Sequence, residues 1–213
     1  MNILTVILAF AGAYLAGSIP SAVWIGRIFH KIDVREHGSG NAGATNTIRV
    51  LGWKTGIPVL LIDLAKGCFA TMLPVFLKCA DPGSTVEINL KVIAGLIAIS
   101  GHILPVFAGF KGGKGVATAF GVLFALQPWL TLTSIGVFLV IFLISGIVSI
   151  ASMIAGLSFP VFLFTIFSAP SLVFKIFSIL LAIAIIFTHR KNIKRLFRGE
   201  ESKLIHLRKR REA

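Results

Sequence analysis

The sequence predicts an all-α polytopic membrane protein with seven transmembrane helices, an N-terminus outside the cell and a C-terminus in the cytoplasm. The first observation behind this prediction is composition: 56% of the 213 residues are hydrophobic and only 14% are charged. The second is a mean hydropathy of +0.92, which leaves too little polar surface for a water-soluble domain. The third is that the net charge of +13 comes from clustered basic residues. Composition therefore argues against a soluble enzyme and, because Phe, Ile, Leu and Val dominate, against a disordered chain.

Seven apolar segments can be drawn at roughly 20 residues per membrane-spanning helix. Pro128 separates the fourth segment from the fifth, because proline removes a backbone donor and clashes with the preceding helical turn. The alternative, one long merged span, would hold this proline in its interior. The segments are 3–26, 54–77, 89–108, 115–129, 130–145, 149–168 and 171–188.

The basic residues predict the topology. Regions 27–53, 109–114 and 189–213, together with Lys54 directly after the first region, hold 17 of the 21 Lys and Arg residues. Basic loops stay on the cytoplasmic side, and seven spans with an outside N-terminus place all three regions there. We treat 1–213 as one transmembrane domain with a basic cytoplasmic tail over 190–213. That tail is expected to attract anionic lipid, and no aromatic-basic module beside it indicates nucleic acid.

Asp63 and Lys66 are the charged residues deepest in an apolar span. An unpaired charge near the bilayer centre costs about 2.5–3.5 kcal/mol, and i, i+3 spacing puts both side chains on one helix face. One interpretation is a mutual pair facing the bundle interior; the other is that Lys66 reaches toward a charged ligand. His102, on the apolar approach to the second polar region, is expected to be a hydrogen-bonded structural residue.

The first polar region, 37–49, is rich in glycine and in short hydrogen-bonding side chains. Glycine permits positive φ and close approach of the backbone to a ligand. Asn41 or Ser39 could cap a helix that carries Arg49, and a helix N-terminus binds phosphate well. We expect a binding loop rather than an ordinary turn. Its candidate residues are Gly38, Ser39, Gly40, Asn41, Thr45, Asn46 and Arg49.

The second polar region, 101–118, contains the run Lys-Gly-Gly-Lys-Gly. Such a run can form a backbone nest whose N–H groups converge on an anion, and two lysines add charge. Pro105 should end the third span, and a helix that starts near Gly115 would carry Thr118 one turn beyond Lys114. The spacing differs from a Walker A loop, so an NTPase is rejected. The candidates are Lys111, Gly112, Gly113, Lys114, Gly115 and Thr118.

The third polar region, 188–201, follows the seventh span and is expected to extend its helix. His189, Asn192 and Arg195 would then share one face, and Ile193, Leu196 and Phe197 would form an apolar edge at the membrane interface. Several cations and two glycine-rich loops on one membrane face suggest more than one phosphate group. Apolar helices beneath them would accommodate a hydrocarbon chain, so the pattern points to phospholipid chemistry.

Three segments resemble the signature motifs of the bacterial acyl-phosphate:glycerol-3-phosphate acyltransferases: GSGNAGATNTIR, GHILPVFAGFKGGKGVAT and HRKNIKRLFRGEE. The resemblance implies an enzyme of the bacterial cytoplasmic membrane whose site faces the cytoplasm. It would transfer a fatty acyl group from acyl phosphate to the 1-hydroxyl of glycerol 3-phosphate, giving lysophosphatidic acid and inorganic phosphate.

The resemblance also assigns roles to residues. The glycines of the second motif would shape the glycerol 3-phosphate site, and Glu201 matches the acidic end of the third. The essential residues would be Ser39, Arg49, Lys111, Lys114, His189 and Asn192. Substrate contacts are expected from Gly38, Gly40, Asn41, Thr45, Asn46, Gly112, Gly113, Gly115, Thr118, Arg195 and Glu201.

The proton acceptor stays open at the level of sequence. The unperturbed pKa of histidine side chains in general is near neutrality, so a histidine at position 189 could take the hydroxyl proton, or a phosphate oxygen of the donor could take it. Thioester-dependent acyltransferases carry His and Asp five positions apart, and none of the five histidines here does. No Cys/His cluster has metal-ligand spacing, so no metal is expected, and the chemistry needs no cofactor. A transporter or a lipid-binding scaffold remains the alternative class.

Overall fold

A computed structural model describes residues 2–204, and all of the regular structure in that range is helical. The part of the predicted basic tail from 205 onward lies outside the described residues. Two short 3-10 turns are present: Val34–Glu36 directly before the first polar region, and Val106–Ala108 within the second. The helices are α1 Ile3–Gly17, α2 Ser21–His30, α3 Ala44–Leu51, α4 Trp53–Phe76, α5 Thr85–Ile103, α6 Val116–Leu126, α7 Pro128–Ser145, α8 Val148–Thr165, α9 Leu172–Thr188 and α10 Arg190–Phe197.

The described chain packs as two compact units. Unit 1 contains residues up to Pro128 together with Ala169–Phe177, and unit 2 contains Trp129–Ser168 and the residues from Ser178 onward. In unit 1, α4 packs against α1, α3, α5 and α6. Membrane helices gain little from a hydrophobic driving force between them, so close packing of small residues is what joins them.

Small residues let the helices of unit 1 approach closely. A Cβ on Gly67 of α4 would collide with the backbone carbonyl of Thr118 in α6. A buried cluster of alanines joins α1, α4 and α5: Ala13, Ala70, Ala94 and Ala98. The apolar segments predicted from hydropathy therefore pack through backbone contacts that hydropathy does not specify.

The first predicted span, 3–26, is wrong as one continuous helix. The structure has two helices, α1 and α2, bent by 44°. The break lies at Ile19 and Pro20, and Pro20 precedes the first residue of α2. Proline lacks the N–H that a continuous helix would use, so the first helix ends before Pro20 and a second helix begins after it.

By length and composition, four helices can cross a membrane: α4, α5 with its following turn, α7 and α8. The bent pairs α1–α2 and α9–α10 raise the number to six if each is one span. The predicted fourth span corresponds to α6, which has 11 residues. At 1.5 Å per residue it is about 16 Å long, against about 30 Å of hydrocarbon. The break at Gln127, between α6 and α7, confirms that the fourth and fifth segments are separate helices.

The expected extension of the seventh helix is also wrong. The axes of α9 and α10 differ by 53°. His189 lies between them as the residue before α10, with φ −94° and ψ 6°. Phe197 near the end of α10 is 89% exposed, as the predicted apolar edge requires. The turn redirects a basic, amphipathic helix away from the axis of the apolar one.

Candidate functional site

The first polar region folds around Asn46. Its side-chain oxygen accepts hydrogen bonds from the Ser39 N–H at 2.8 Å and the Ser39 hydroxyl at 3.1 Å. Its amide nitrogen donates to the carbonyls of Val34 at 2.8 Å and His37 at 3.1 Å. Asn46 is 1% exposed, so its observed role is to hold the loop in shape. Direct contact between Asn46 and a substrate stays a prediction.

Gly38 is required by this arrangement. Its φ is +61°, and a Cβ would lie 2.5 Å from the Asn46 side-chain oxygen. Both the left-handed backbone and the close approach favour glycine. The loop thereby leaves Ser39 exposed at its surface.

Helix α3 follows the loop and carries Arg49 in its last turn, as predicted. The predicted cap is wrong, because Gly43 occupies the N-cap position and no side chain caps the helix. Asn41 and Thr45 lie on either side of this start and are half-buried. Among residues 2–204, Arg49 forms no ion pair with a carboxylate.

The second polar region folds back onto the end of α5. The N–H groups of Gly112 and Gly113 donate to the carbonyls of Ile103 and His102, each at 3.2 Å. The N–H of Lys111 donates to another carbonyl, that of Ala108. The predicted anion nest is therefore not formed by these three N–H groups, because helix α5 ends here and its last carbonyls need donors.

Helix α6 begins after Gly115, as predicted. Gly115 is the N-cap residue in a left-handed conformation, with φ +76°. Lys111 is exposed and Lys114 is half-buried at the surface of this loop. Thr118 is fully buried, and its backbone meets α4. The observed environment of Thr118 is a helix–helix contact, and its contact with substrate stays a prediction.

Arg35 joins the two polar regions. Its guanidinium makes a bidentate pair with Asp33, with Nε–Oδ1 and Nη2–Oδ2 distances of 3.0 and 2.7 Å. Its Nη1 donates across to the second region, to the carbonyls of Ala108 at 2.8 Å and Lys111 at 3.3 Å. Hydrogen bonds from Arg35, opposed by burial, hold the pKa of the Asp33 carboxyl far below its usual range. Asp33 is therefore charged at neutral pH and keeps the guanidinium in place.

A buried polar group lies under these loops in unit 1. Asp63 accepts hydrogen bonds at Oδ1 from the Ser21 hydroxyl at 2.7 Å and pairs there with Lys66 at 2.9 Å. Lys66 also donates to the carbonyl of Ile19 at 2.7 Å, in the break between α1 and α2. The prediction of a mutual pair facing the interior is confirmed. His102 approaches the same Oδ1 with its Nδ1 at 3.6 Å, too long for the hydrogen bond that the sequence predicted.

The third polar region, in unit 2, is organised by Glu201. One carboxylate oxygen accepts from the Ser149 hydroxyl and the Asn192 amide, and the other from Nε of Arg195 at 2.6 Å. Burial raises the pKa of Glu201, but these hydrogen bonds outweigh it and leave the pKa below its ordinary value. The prediction that Asn192 and Arg195 share one helix face is confirmed, because both side chains donate hydrogen bonds to Glu201.

His189 is 2% exposed, and its Nδ1 lies 2.7 Å from the carbonyl oxygen of Ile185. A carbonyl only accepts, so Nδ1 carries the proton in this geometry. In a neutral imidazole of this tautomer, Nε2 is the acceptor. This geometry is compatible with both predicted roles, base and positioning residue.

Sequence reasoning missed Arg35 and Asp33 as organising residues. Their i, i+2 spacing was visible, but Arg35 looked like one of several topology-determining cations. Its contacts with Ala108 and Lys111 join positions 73 and 76 residues apart. No local pattern in one sequence predicts such a contact.

The fold and these loops define an all-helical integral membrane protein with two glycine-rich, cationic loops held together at one end of a helical unit. Residues 7–199 match the family model described as glycerol-3-phosphate acyltransferase, and the chain belongs to that family. The family predicted from the three motifs is thereby confirmed.

Relatives and solved structures agree with this assignment. The glycerol-3-phosphate acyltransferase of Chlorobium phaeobacteroides strain BS1 is 43% identical over 94% of this chain and 97% of its own length. Glycerol-3-phosphate acyltransferase 2 of Bacillus anthracis is 44% identical over 96% of this chain and all of its own. The crystal structure of PlsY, an integral membrane glycerol 3-phosphate acyltransferase, in its glycerol 3-phosphate form matches with a TM-score of 0.81. That structure is 39% identical in sequence, and the match covers 93% of this chain and 94% of the PlsY chain.

Proposed function

We propose that this protein transfers a fatty acyl group from acyl phosphate to the 1-hydroxyl of glycerol 3-phosphate, forming lysophosphatidic acid and inorganic phosphate for phospholipid synthesis. The observation that carries the proposal is the Arg35 contact, which joins two glycine-rich loops and their cations into one polar surface. Membership of the family supports the acceptor, and the PlsY structures are described as glycerol 3-phosphate and lysophosphatidic acid forms of that relative.

Glycerol 3-phosphate would bind at the two loops of unit 1. Its phosphate carries up to two negative charges, which Arg49 and the second-loop lysines can balance. Arg49 and Lys111 form no ion pair among residues 2–204, so neither cation is already neutralised by a carboxylate. Arg35 is excluded from this role because its guanidinium already binds Asp33 and the carbonyls of Ala108 and Lys111.

Acyl phosphate suits a site that offers cations and short hydrogen-bond donors. It is a mixed anhydride, so its carbonyl is already activated and no covalent enzyme intermediate is needed. Holding the acceptor hydroxyl against that carbonyl supplies several kcal/mol by orientation. Cations stabilise the departing phosphate, and short donors such as Ser39 stabilise the oxyanion.

The third motif is expected to serve the same reaction through His189 and Asn192. Two proton acceptors remain: Nε2 of His189, or a phosphate oxygen of the donor with His189 only positioning. The Nδ1 contact to Ile185 supports either, because it fixes the ring and leaves Nε2 as the acceptor. A pH–rate profile of His189→Asn that keeps its shape favours the donor oxygen.

We also propose seven spans with the N-terminus outside, in the cytoplasmic membrane of a bacterium. In unit 1, the basic regions around α3 and before α6 lie together through Arg35, so they share one side. The positive-inside rule places that side in the cytoplasm. Topology-reporter fusions inserted at 80–84 and at 112–113 should report opposite faces of the membrane.

The experiment that tests the donor uses the purified chain with glycerol 3-phosphate and either palmitoyl phosphate or palmitoyl-CoA. Phosphate release coupled to lysophosphatidic acid formation is expected with palmitoyl phosphate alone. Turnover with palmitoyl-CoA and none with palmitoyl phosphate would remove the donor assignment and leave the family intact.

A further inference from the structure

The buried group of unit 1 contains a histidine that the proposed reaction does not use. His102 is 6% exposed in the last turn of α5, immediately before the second loop. Burying Asp63 and Lys66 within a membrane-spanning helix is costly, and such residues usually have a function.

One side of His102 holds the glycine pair of the second loop. Its backbone carbonyl accepts the N–H of Gly113 at 3.2 Å. A Cβ on Gly113 would collide with Nε2 of the His102 ring and lie 3.0 Å from the carbonyl oxygen of Ala42 in the first loop. A Cβ on Gly112 would collide with the His102 carbonyl. The ring therefore lies directly behind the place where the two loops meet.

The other side of His102 faces the buried acid. Nδ1 lies 3.6 Å from Oδ1 of Asp63 and, among residues 2–204, has no hydrogen-bond partner, although it is fully buried. Asp63 itself is fixed by Ser21 and Lys66. Buried polar atoms are nearly always satisfied, so the Asp63 oxygen is the acceptor that the ring is placed to meet.

We propose that His102 is a positioning residue for the acceptor site: its carbonyl and ring set the path of Gly112 and Gly113, and Asp63 orients the ring. The proposal rests on the placement of glycerol 3-phosphate at the second loop. It differs from a role as general base, because the backbone of Gly113 lies against Nε2 of the ring on the side that faces the loops. It predicts an effect on acceptor affinity rather than on proton transfer.

Two substitutions distinguish the contribution of the Asp63-facing side of the His102 ring from that of its loop-facing side. His102→Asn keeps a nitrogen near the position of Nδ1, and His102→Gln keeps one near the position of Nε2. Thr71→Val is the matched control, because Thr71 is buried in α4 and its hydroxyl donates to the carbonyl of Gly67 within that helix. All are made in the full chain, and melting temperatures report the cost to the fold.

The readouts are calorimetric binding of glycerol 3-phosphate without donor and the KM of each substrate. His102→Asn should weaken glycerol 3-phosphate binding and raise its KM by about 10- to 100-fold, with donor KM nearly unchanged. His102→Gln should do less. Asp63→Asn should move the same parameter, and the double variant with His102→Asn should fall short of the product of the two effects.

Other results would overturn the proposal. One such result is a KM for glycerol 3-phosphate in His102→Asn that stays within twofold of the wild-type value. Another is that Thr71→Val, with the same loss of melting temperature as His102→Asn, raises the KM for glycerol 3-phosphate by the same factor. A fall in kcat alone, with a limb missing from the pH–rate profile, would mean that His102 transfers a proton. Wild-type protein that binds glycerol 3-phosphate but ignores acyl phosphate would refute only the donor; absence of that binding would overturn both proposals.

Discussion

Replacing Arg35 with lysine tests whether the contact between the loops matters. Lysine keeps the positive charge, but its single ammonium group cannot pair with Asp33 and also reach the carbonyls of Ala108 and Lys111. The variant therefore removes the connection without removing the charge, and Asp33 keeps a cation beside it.

The magnitude follows from the geometry. A hydrogen bond from a charged donor contributes about 1.5–3 kcal/mol. Of the two carbonyl contacts, that to Ala108 at 2.8 Å is short and that to Lys111 at 3.3 Å is long, so about one full bond is lost. The Arg35 side chain is 20% exposed, and water will replace part of the bond. A net loss of about 1–2 kcal/mol corresponds to about 5- to 30-fold in an equilibrium.

We expect this loss as a rise of the same size in the KM for glycerol 3-phosphate, with a smaller effect on donor KM. The assay follows lysophosphatidic acid formation at saturating donor. Arg27→Lys is the control, because Arg27 contacts the same Asp33 carboxylate but is 59% exposed. An exposed pair of this kind contributes about 0–1 kcal/mol. Equal behaviour of the Arg35 and Arg27 variants would refute the idea that Arg35 aligns the loops.

Three further predictions concern the remaining candidates. Gly112→Ala should raise the KM for glycerol 3-phosphate and spare donor KM, because the added methyl group would push the loop off the end of α5. Arg49→Ala and Lys114→Ala should each lower kcat/KM by about 100-fold or more in the acyl transfer assay, because each removes a cation from the phosphates. Glu201→Gln should reduce the loss of thermal stability that the wild-type protein shows as the pH falls below about 5. The lowered pKa of Glu201 means that its carboxylate stabilises the fold above its ordinary pKa of 4.5 and is lost as pH falls through the folded value.

Each of these predictions has a control. Gly109→Ala lies in the same loop, where a Cβ meets nothing within 4 Å, so it costs only the left-handed backbone. A donor-specific defect in Gly112→Ala would mean that the two substrate sites are exchanged. Lys54→Ala removes an exposed cation near α3 and should retain activity. Full activity of both cation variants would contradict the phosphate site, and parallel pH curves for wild type and Glu201→Gln would contradict the role of that acid.

The sequence predicted the elements whose causes are local. Hydropathy and Pro128 located the apolar helices, and i, i+3 spacing predicted the pairing of Asp63 with Lys66. Glycine placement predicted the start of α6 at Gly115. Proline also ends the first helix at Pro20, as it separates the segments at Pro128. The segments on both sides of Pro20 are highly apolar, so hydropathy alone predicts one continuous helix there.

The candidate site was predicted as a set of residues and not as a geometry. The predicted anion-binding nest does not form, because the N–H groups of Gly112 and Gly113 donate to the carbonyls at the end of α5. The roles of Asn46 and Arg35 depend on carbonyl groups elsewhere in the chain. Backbone carbonyls are present at every residue, so a sequence does not reveal which of them a side chain will meet.

The most direct test of the proposed acceptor site is a structure of this chain with glycerol 3-phosphate bound. We predict a phosphate group within about 4 Å of the Arg49 guanidinium and of the second loop, with the 1-hydroxyl left accessible to the donor. A phosphate bound away from both loops, or bound by Arg35 after it has released Asp33, would contradict it.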